Sequence, residues 1–458
     1  MSDECQGLQD GTIRAMVAPD PTHPRIDFTE RRLPNGLRVI VAPDHLVPVV
    51  ALNLWYDVGS KHEAPGRTGF AHLFEHFMFQ GSAHVAKAEH MSIVQGSGGV
   101  CNATTWFDRT NYFETLPSNQ LELGLWLEAD RLATLLDALS QENLDNQREV
   151  VKNEKRQSYD NQPYGSFYEK LMAAVFPPGH PYHHTPIGSM ADLDAASLED
   201  VTAFFRTYYA PDNAVLTVVG DVEAEAAFEA VERWFGQIRS SGKVPRFEAP
   251  DTPPHIGALS RETVPDNVPL VRIHFGWRTA PFGTAAFDAL EVATQILAGG
   301  QGSRLYRHLV RDRQIAQDVS LFSMPLVAGG AMVAGWATVR PEADPAEVEA
   351  AFLGEMAQVT REPVTDDELL RAHALIESSE LSALGRVEEV ADRLGMYATL
   401  FDQPELVNEQ LGRYLAVGAD EVLAASAATF RDDNLAIITF VPREDEPAQA
   451  DAAQADAA

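Results

Sequence analysis

The sequence repeats itself, and this repeat limits the possible folds more than any other feature of the chain. Three short segments recur at one offset of 221 residues. A Val-Pro pair before an apolar run stands at 47 and at 268, Gln-Gly-Ser begins at 80 and at 301, and an Asp-Asn pair before a β-rich run stands at 212 and at 433. A constant offset over three matches indicates duplication of one structural unit. The 458-residue chain therefore holds two units of roughly 220 residues, which excludes a single small binding module.

Each unit is predicted to combine strands with amphipathic helices. Apolar runs of strand length occur at 37–41, 49–56, 214–219 and 271–277, and apolar residues recur three and four positions apart in 121–139 and 198–209. Strands and helices alternate too irregularly for a doubly wound parallel fold. We therefore predict an α+β fold made of two homologous, duplicated α/β units, each with helices packed on a mostly antiparallel sheet.

The uncharged stretch 319–339 allows two interpretations. It is long enough to span a bilayer as a helix. However, it contains Pro325 and is divided into two short apolar runs by Ala328, Gly329 and Gly330. Proline and glycine at these places favour a buried β-hairpin, and we predict that structure here.

The same patterns divide the chain into five segments. Residues 1–27 lack periodicity and residues 443–458 form an acidic, Ala-rich tail, so both are predicted to be disordered. Residues 239–260 are rich in proline and are predicted to form a linker. This linker separates an N-terminal unit at 28–238 from a C-terminal unit at 261–442.

Charge and cysteine content exclude several functions. The chain has 35 basic and 67 acidic residues, and its formal charge of −32 repels the phosphates of nucleic acids and of anionic membranes, so neither is an expected partner. Cys5 and Cys101 are too few for a disulfide framework or a cysteine zinc site, so any metal must be held by histidine and carboxylate. The N-terminal segment carries acidic residues and no apolar core of a signal peptide, which predicts a cytoplasmic location.

The segment His72-Leu-Phe-Glu75-His76 carries the most specific chemical signal. In a helix, His72 and His76 lie one turn apart on one face and Glu75 projects to nearly the same side, so two imidazoles and a carboxylate can converge. The alternative is a helix with two partly buried histidines and no metal. Three further histidines at 180, 183 and 184 lie in a proline-containing segment, which we interpret as a rigid loop.

A catalytic zinc site needs a third protein ligand and an open position for water. The charged segment 146–157 is predicted to be helical, and it offers Glu149 and Glu154. Five residues of helix correspond to about 140° around the axis, so only one of the two glutamates can face the metal. Spacing alone leaves both alternatives open.

The His72-x-x-Glu75-His76 segment and the later helix that ends in Val-Val-Lys-Asn-Glu154 resemble the inverted zincin motif of the M16 peptidase family. This family includes pitrilysin, insulin-degrading enzyme and mitochondrial processing peptidase, and the length and duplication resemble its short bacterial M16B branch. The resemblance implies that His72, His76 and Glu154 hold zinc and that Glu75 is the catalytic base.

The resemblance also bears on substrate and architecture. It implies that Asn102 and Ala103 lie on an edge strand that receives a peptide, and that the two units together form one half of a clamshell around it. The implied function is a zinc-dependent endopeptidase that hydrolyses peptides or unfolded segments inside a closed chamber. The alternatives are a non-catalytic structural or assembly subunit of the same fold and a metal-binding module without peptidase activity.

Two departures from the family pattern concern activity. The family has a second glutamate seven positions before the ligand glutamate, and that position is Gln147 here. The family also has an Arg and a Tyr seven positions apart in its C-terminal half. The tyrosines after residue 250 are Tyr306, Tyr397 and Tyr414, and the residues seven positions before them are Gly299, Val390 and Val407. The resemblance therefore implies a zinc-bearing subunit whose homologous partner subunit carries the Arg/Tyr pair, with a homodimer as the other assembly.

The second unit is predicted to have lost the metal motif. The offset of 221 carries His72, Glu75 and His76 to the positions of three residues that cannot bind zinc. These residues are Ala293, Ile296 and Leu297.

Overall fold

The computed structural model describes residues 23–242 and 244–443. Most of the two segments predicted to be disordered, 1–22 and 444–458, lies outside the described residues. Residues 23–27 instead lie against the C-terminal unit. The N–H of Ile26 donates to Oδ1 of Asn408 at 2.7 Å, and the Asn408 side-chain amide donates to the Ile26 carbonyl at 2.9 Å.

The N-terminal unit contains six strands and eight α-helices among its described residues. The strands are β1 (Thr29–Arg32), β2 (Arg38–Pro43), β3 (Val49–Tyr56), β4 (Val100–Thr105), β5 (Thr110–Pro117) and β6 (Ala214–Gly220). The helices are α1 (Phe70–Phe77), α2 (Glu89–Gly96), α3 (Leu121–Ala138), α4 (Gln141–Lys155), α5 (Phe167–Val175), α6 (Met190–Ala195), α7 (Leu198–Tyr208) and α8 (Ala224–Phe235).

The C-terminal unit contains five strands and six α-helices among its described residues. The strands are β7 (Ser260–Asp266), β8 (Arg272–Thr279), β9 (Ala316–Met324), β10 (Ala331–Val339) and β11 (Leu435–Pro442). The helices are α9 (Ala285–Ala298), α10 (Pro345–Val359), α11 (Asp366–Leu384), α12 (Val387–Phe401), α13 (Gln410–Leu415) and α14 (Ala419–Thr429). π-Helical turns cover Arg156–Asp160 and Tyr306–Asp312, and 3-10 turns cover Ser60–His62, Ser118–Gln120, Pro211–Asn213, Pro404–Asn408 and Asp432–Asn434.

Several helices begin where a short polar side chain can accept a backbone N–H. Ser140 caps α4, Ser197 caps α7 and Thr365 caps α11, each accepting the N–H three residues further along. Such caps satisfy donors that the first helical turn leaves unpaired. The helix starts are therefore encoded locally.

The strands form one mostly antiparallel sheet in each unit, as predicted. The first sheet has the order β1-β2-β6-β3-β5-β4 and the second has the order β7-β11-β8-β10-β9. Only β2 with β6 and β7 with β11 pair in parallel. Strand β4 thus lies at the edge of the first sheet, where no other strand of the described part of the chain pairs with its outer backbone groups.

Strands β9 and β10 form the β-hairpin predicted for 319–339. Strand β10 is almost wholly buried, whereas most of β9, at the edge of the sheet, is only half-buried. They pair antiparallel, with Trp336 opposite Ser320. Within the described residues, no helix is long and apolar enough to cross a membrane.

The two sheets are equivalent at the offset seen in the sequence. Tyr56 of β3 lies opposite Ala214 of β6, and Trp277 of β8 lies opposite Leu435 of β11. Both partners of the second pair follow those of the first by 221 residues. The duplication is therefore a duplication of strand register as well as of sequence.

The units exchange one helix each, a feature that the linear division of the chain did not predict. Helix α12 of the C-terminal unit packs on β3 and β6, and α5 of the N-terminal unit packs on β8 and β11. At these contacts a small residue faces a large one. A Cβ added to Gly395 of α12 would lie 2.6 Å from the Trp55 ring, and one added to Gly276 of β8 would lie 2.8 Å from Leu171 of α5. The two sheets and these helices enclose a common apolar core.

Candidate metal centre

Helix α1 carries the His72–His76 segment, and a buried carboxylate fixes its first turn. Both oxygens of Glu63 accept backbone N–H groups, from Gly69 at 2.9 Å and from Ala71 at 2.8 Å. The ring of His184 contacts the same carboxylate at 2.9 Å. A carboxylate at a helix N-terminus satisfies free donors and is favoured by the helix dipole. The position of α1 is thus set by Glu63.

The other face of α1 is apolar. Leu73, Phe74 and Phe77 are fully buried in the core of the first unit. Because these side chains fix the rotation of α1 about its axis, the two histidines are directed away from the core, toward α4.

Helix α4 brings Glu154, and not Glu149, to the histidines. Val151 and Leu144 are fully buried, and the Arg148 guanidinium donates to the carbonyls of Leu193 and Ala196, both at 2.8 Å. Glu149 lies on the exposed side and pairs with Lys152 at 3.0 Å. The rotation of α4, which spacing alone left open, therefore presents Glu154.

The three side chains form a compact donor set. Nε2 of His76 lies 3.1 Å from one Glu154 oxygen, and Nε2 of His72 lies 3.5 Å from the other. One ligand atom from each residue can be chosen so that all lie within 4.8 Å of one another. Two ligands about 2.1 Å from a tetrahedral zinc ion are separated by about 3.4 Å, so the spacing suits zinc. Two imidazoles and a carboxylate are also the donor types of catalytic zinc sites.

The electrostatics of this set favour the protonation states that bind a metal. Burial lowers the pKa of His72, which keeps this imidazole neutral. A hydrogen bond with His76 lowers the pKa of Glu154, which keeps this group ionised. A neutral imidazole and a carboxylate are the forms that coordinate. Nδ1 of His72 is buried and has no hydrogen-bond partner among the described residues.

Glu75 lies beside the set without being part of it. Burial raises its pKa, while the Thr105 side chain and the charge of His76 lower it. Thr105 is the last residue of β4, so Glu75 is placed between the histidines and the edge strand. A carboxylate with a raised pKa near a metal-bound water is suited to take up and return a proton.

Asn102 and Ala103, to which the resemblance assigns a role in substrate binding, lie in the edge strand β4. The Asn102 side chain is exposed, and its Oδ1 accepts the N–H of Ala103 at 2.9 Å. Ala103 is buried and lies opposite Tyr112 of β5. The backbone of β4 is therefore at the edge, and the Asn102 side chain occupies one of its donors.

Residues at the positions that depart from the family pattern have other contacts. Gln147 is buried and donates to Asn146 at 3.0 Å. In the second unit, Ala293, Ile296 and Leu297 of α9 are all fully buried in its core. The equivalent of the histidine face is thus an apolar packing face.

A second polar cluster, absent from the sequence prediction, lies inside the first unit. His90, Glu114 and Glu128 are buried and can also bring three ligand atoms within 4.8 Å of one another. Arg131, however, donates to both oxygens of Glu128, at 2.5 and 2.6 Å. This cation already balances one carboxylate, so the cluster does not need a metal. Its members are far apart in sequence and follow no ligand spacing, which is why the motif analysis missed it.

Comparison with known families identifies the family of the chain. The model of insulinase (peptidase family M16) matches residues 38–181, which include the histidine pair and Glu154, and the model of the peptidase M16 inactive domain matches residues 195–375. The chain belongs to the M16 peptidase family. Its relatives in this family include the zinc protease PqqE of Helicobacter pylori, which is 27% identical over 90% of this chain and 92% of the relative. Another is the uncharacterized zinc protease YmxG of Bacillus subtilis, 23% identical over 87% of this chain and 95% of the relative.

Solved M16 structures share the whole architecture. A protease from Helicobacter pylori superposes with a TM-score of 0.84 at 26% identity, covering 91% of this chain and 100% of that one. An M16-like peptidase from Alicyclobacillus acidocaldarius has a TM-score of 0.78 at 20% identity, covering 92% and 99%. The two duplicated units thus form the clamshell half typical of M16 proteins.

Proposed function

We propose that this M16 chain is a zinc-dependent endopeptidase that hydrolyses peptides or unfolded polypeptide segments. The convergence of His72, His76 and Glu154, with Glu75 beside them, carries the proposal. The names of the zinc protease relatives support it. A structural zinc site or a metal store would have no use for the fourth, non-ligating acid.

The residues of the site divide the chemistry among them. His72, His76 and Glu154 would hold zinc, which polarises a peptide carbonyl and lowers the pKa of water. Glu75 accepts the proton of the attacking water and then delivers it to the leaving amine. The raised pKa of Glu75 suits the second of these tasks, because a more basic carboxylate keeps the proton until the amine needs it.

Strand β4 is proposed to receive the substrate. A peptide that adds to a sheet edge is held through its main chain, so many side-chain sequences are accepted. The backbone N–H of Ala103 can donate to a peptide only after it has been released by the Asn102 side chain. A chamber formed by the clamshell would then restrict entry to short or unfolded chains.

The chain is further proposed to act with a homologous M16 subunit. It lacks the Arg/Tyr pair that grips substrate in the family, and a partner subunit carrying that pair would complete the site. This chain would then be the zinc-bearing member of a hetero-oligomer.

Substitution of Glu75 tests the proposed function. We expect Glu75→Gln to retain zinc, measured by mass spectrometry of the metal, and to lose cleavage of a fluorogenic peptide by about a thousandfold or more. Wild-type cleavage by the variant would contradict the proposal. An inactive wild type, with zinc bound and a partner subunit present, would favour the non-catalytic subunit.

The third ligand has its own test with a matched control. Glu154→Gln should remove zinc, because it replaces a carboxylate of the donor set. Glu149→Gln makes the same change five residues earlier, on the exposed side of α4, and should leave zinc content unchanged. The reverse result would show that the ligand had been misassigned.

A further inference from the structure

A carboxylate of the second unit lies against the back of the catalytic sheet. Asp392 of α12 uses one oxygen, Oδ1, to accept three hydrogen bonds. The donors are the Asn53 amide at 3.1 Å, the Trp55 indole at 3.0 Å and the Asn111 amide at 3.0 Å. Asp392 thereby joins α12 to two neighbouring strands, β3 and β5.

Asn111 extends this network to the edge strand. Its Oδ1 accepts from the hydroxyl of Thr104 on β4 at 2.6 Å and from the Arg109 guanidinium at 3.0 Å. Arg109 also donates to the carbonyl and the hydroxyl of Thr104. The network therefore runs from α12 through Asn111 to Thr104, one residue from each of Ala103 and Thr105.

The charges within the network balance each other. Burial raises the pKa of Asp392 and lowers that of Arg109, and each is the leading opposite charge acting on the other. The Arg109 guanidinium also lies over the Trp55 ring, with its carbon 5.1 Å from the ring centroid. Removing one charge leaves the other poorly compensated in a place shielded from water.

The second sheet has no such network at the equivalent positions. Strand pairing and the 221-residue offset relate Asp392 to Leu171, Asn53 to His274, Trp55 to Gly276, Asn111 to Ala334 and Thr104 to Phe322. Four of these five equivalents are apolar, and both ring nitrogens of His274 lack a hydrogen-bond partner among the described residues. The exchanged helix can thus cover a sheet without polar links, so packing alone does not require them.

We propose that Asp392, Asn111, Arg109 and Thr104 are positioning residues, through which the second unit holds strand β4 in place to receive the peptide substrate. This proposal rests on the proposed function. An edge strand has one neighbour only, and β4 must keep its backbone aligned both with a peptide and with Glu75. A displacement of about 1 Å in such a site can cost about a hundredfold in rate.

Thr104 gives the cleanest variant, because it is the last link and lies at the edge. Thr104→Val removes the hydroxyl and keeps the branched shape, whereas Thr104→Ser keeps the hydroxyl. Both are combined with Glu75→Gln, and binding of a fluorescein-labelled unstructured peptide is measured by anisotropy on zinc-loaded protein. We expect Thr104→Val to weaken binding about tenfold at unchanged zinc content. Thr104→Ser should retain most of the peptide affinity.

Asp392→Asn tests the far end of the network, and Glu388→Gln, at an exposed residue of α12, is its control. Hydrogen exchange of the β4 amides should be at least about tenfold faster in Asp392→Asn, with exchange of α1 unchanged. The same result is required of Thr104→Val, so the test does not depend on one variant being stable. Unchanged peptide binding in Thr104→Val, or unchanged exchange of β4 in either variant that folds, would overturn the proposal. Failure of the proposed function would appear separately, as a wild type that binds zinc and peptide but does not cleave.

Discussion

The two units share one frame and differ in what the frame carries. At the positions of His72, Glu75 and His76 in the first unit, the second has Ala293, Ile296 and Leu297 in its core. Strand pairing gives a second contrast inside the sheets. Leu52 lies opposite the buried Glu114, and its equivalent Ile273 lies opposite Ala337. The same backbone fold is therefore formed with and without the histidine motif, and the candidate site is confined to one copy.

The comparison also shows what the second copy supplies. Although it has no histidine motif, it provides α12, which packs on the sheet of the first unit. Helix α5 of the first unit packs in turn on the sheet of the second. The apolar unit thus acts as a support for the polar one. The following predictions test this division of roles.

The largest expected effect comes from giving the first unit a residue of the second. His76→Leu places in α1 the residue found at the equivalent position 297. Because one ligand is lost, we expect zinc content to fall to near zero and peptide cleavage to fall by more than about a thousandfold. The far-UV circular dichroism spectrum should stay unchanged, since the second unit tolerates leucine there. Zinc retention by the variant would contradict the ligand assignment.

The next effect concerns the Arg/Tyr pair, which neither unit supplies. In the proposed split site the chain has no Arg/Tyr pair to hold the peptide, so the purified chain alone should cleave about a hundredfold more slowly than in a mixture with the proposed partner subunit. The partner is expected to be an M16 chain with the Arg/Tyr pair and without the histidine motif. It can be sought by copurification and tested by the kcat/KM of the mixture. Full activity of the isolated chain as a homodimer would contradict the split site.

The third effect is a dependence of the free energy of unfolding on pH, which we expect from Glu114 of the first unit. Neither oxygen of buried Glu114 has a hydrogen-bond partner among the described residues, and burial raises its pKa from 4.5 to about 7. A carboxyl whose pKa is raised on folding contributes its stability below its unfolded pKa and loses it as pH rises through the folded value. The wild type is therefore penalised near pH 8. Glu114→Gln should raise the free energy of unfolding by about 3 kcal/mol at pH 8, and by about 2 kcal/mol less at pH 5.5.

Urea denaturation at the two pH values measures this effect. Glu229→Gln, an exposed change on α8, is the control and should show no such dependence on pH. Equal effects of Glu114→Gln at both pH values would mean that Glu114 is ionised in the folded protein throughout this range.

The smallest effect compares the two exchanged helices. In Gly395→Ala the new methyl group meets the rigid Trp55 ring at 2.6 Å, and in Gly276→Ala it meets the more flexible Leu171 at 2.8 Å. We expect losses of about 2 and about 1 kcal/mol in the free energy of unfolding, because overpacking costs most where the neighbour cannot move. Thermal denaturation of both variants measures the difference. A larger loss for Gly276→Ala would show that the second sheet is the less adaptable one.

Much of the frame could be predicted from the sequence because its signals are local. The apolar run at 49–56 is β3, and the stretch 319–339 is the core of the β9–β10 hairpin. The offset of 221 relates the strand pair β3–β6 to the equivalent pair β8–β11. The histidine pair is equally local, since one helical turn brings its members together.

Other features depend on the rotation and docking of whole elements. Glu149 and Glu154 are the same residue type in the same helix, and only the burial of Val151 and Leu144 decides which one faces α1. The exchange of α5 and α12 joins positions far apart in the chain, and no periodicity reports it. Residues 23–27 have no pattern of their own and are ordered by contacts with the second unit.

The exchanged helices also govern how the protein can be made. Strand β6 ends at Gly220, but the helix that covers its back face ends at Phe401. At a synthesis rate of 5–20 residues per second, about 10 to 40 s pass between synthesis of the last strand of the first sheet and synthesis of α12. During this time one apolar face of the sheet is exposed. Neither half gene would encode a protein with a closed core. Cleavage or truncation in the linker region should therefore yield two fragments that are stable only in complex with each other. During synthesis, the exposed apolar face makes the nascent chain a substrate for chaperones.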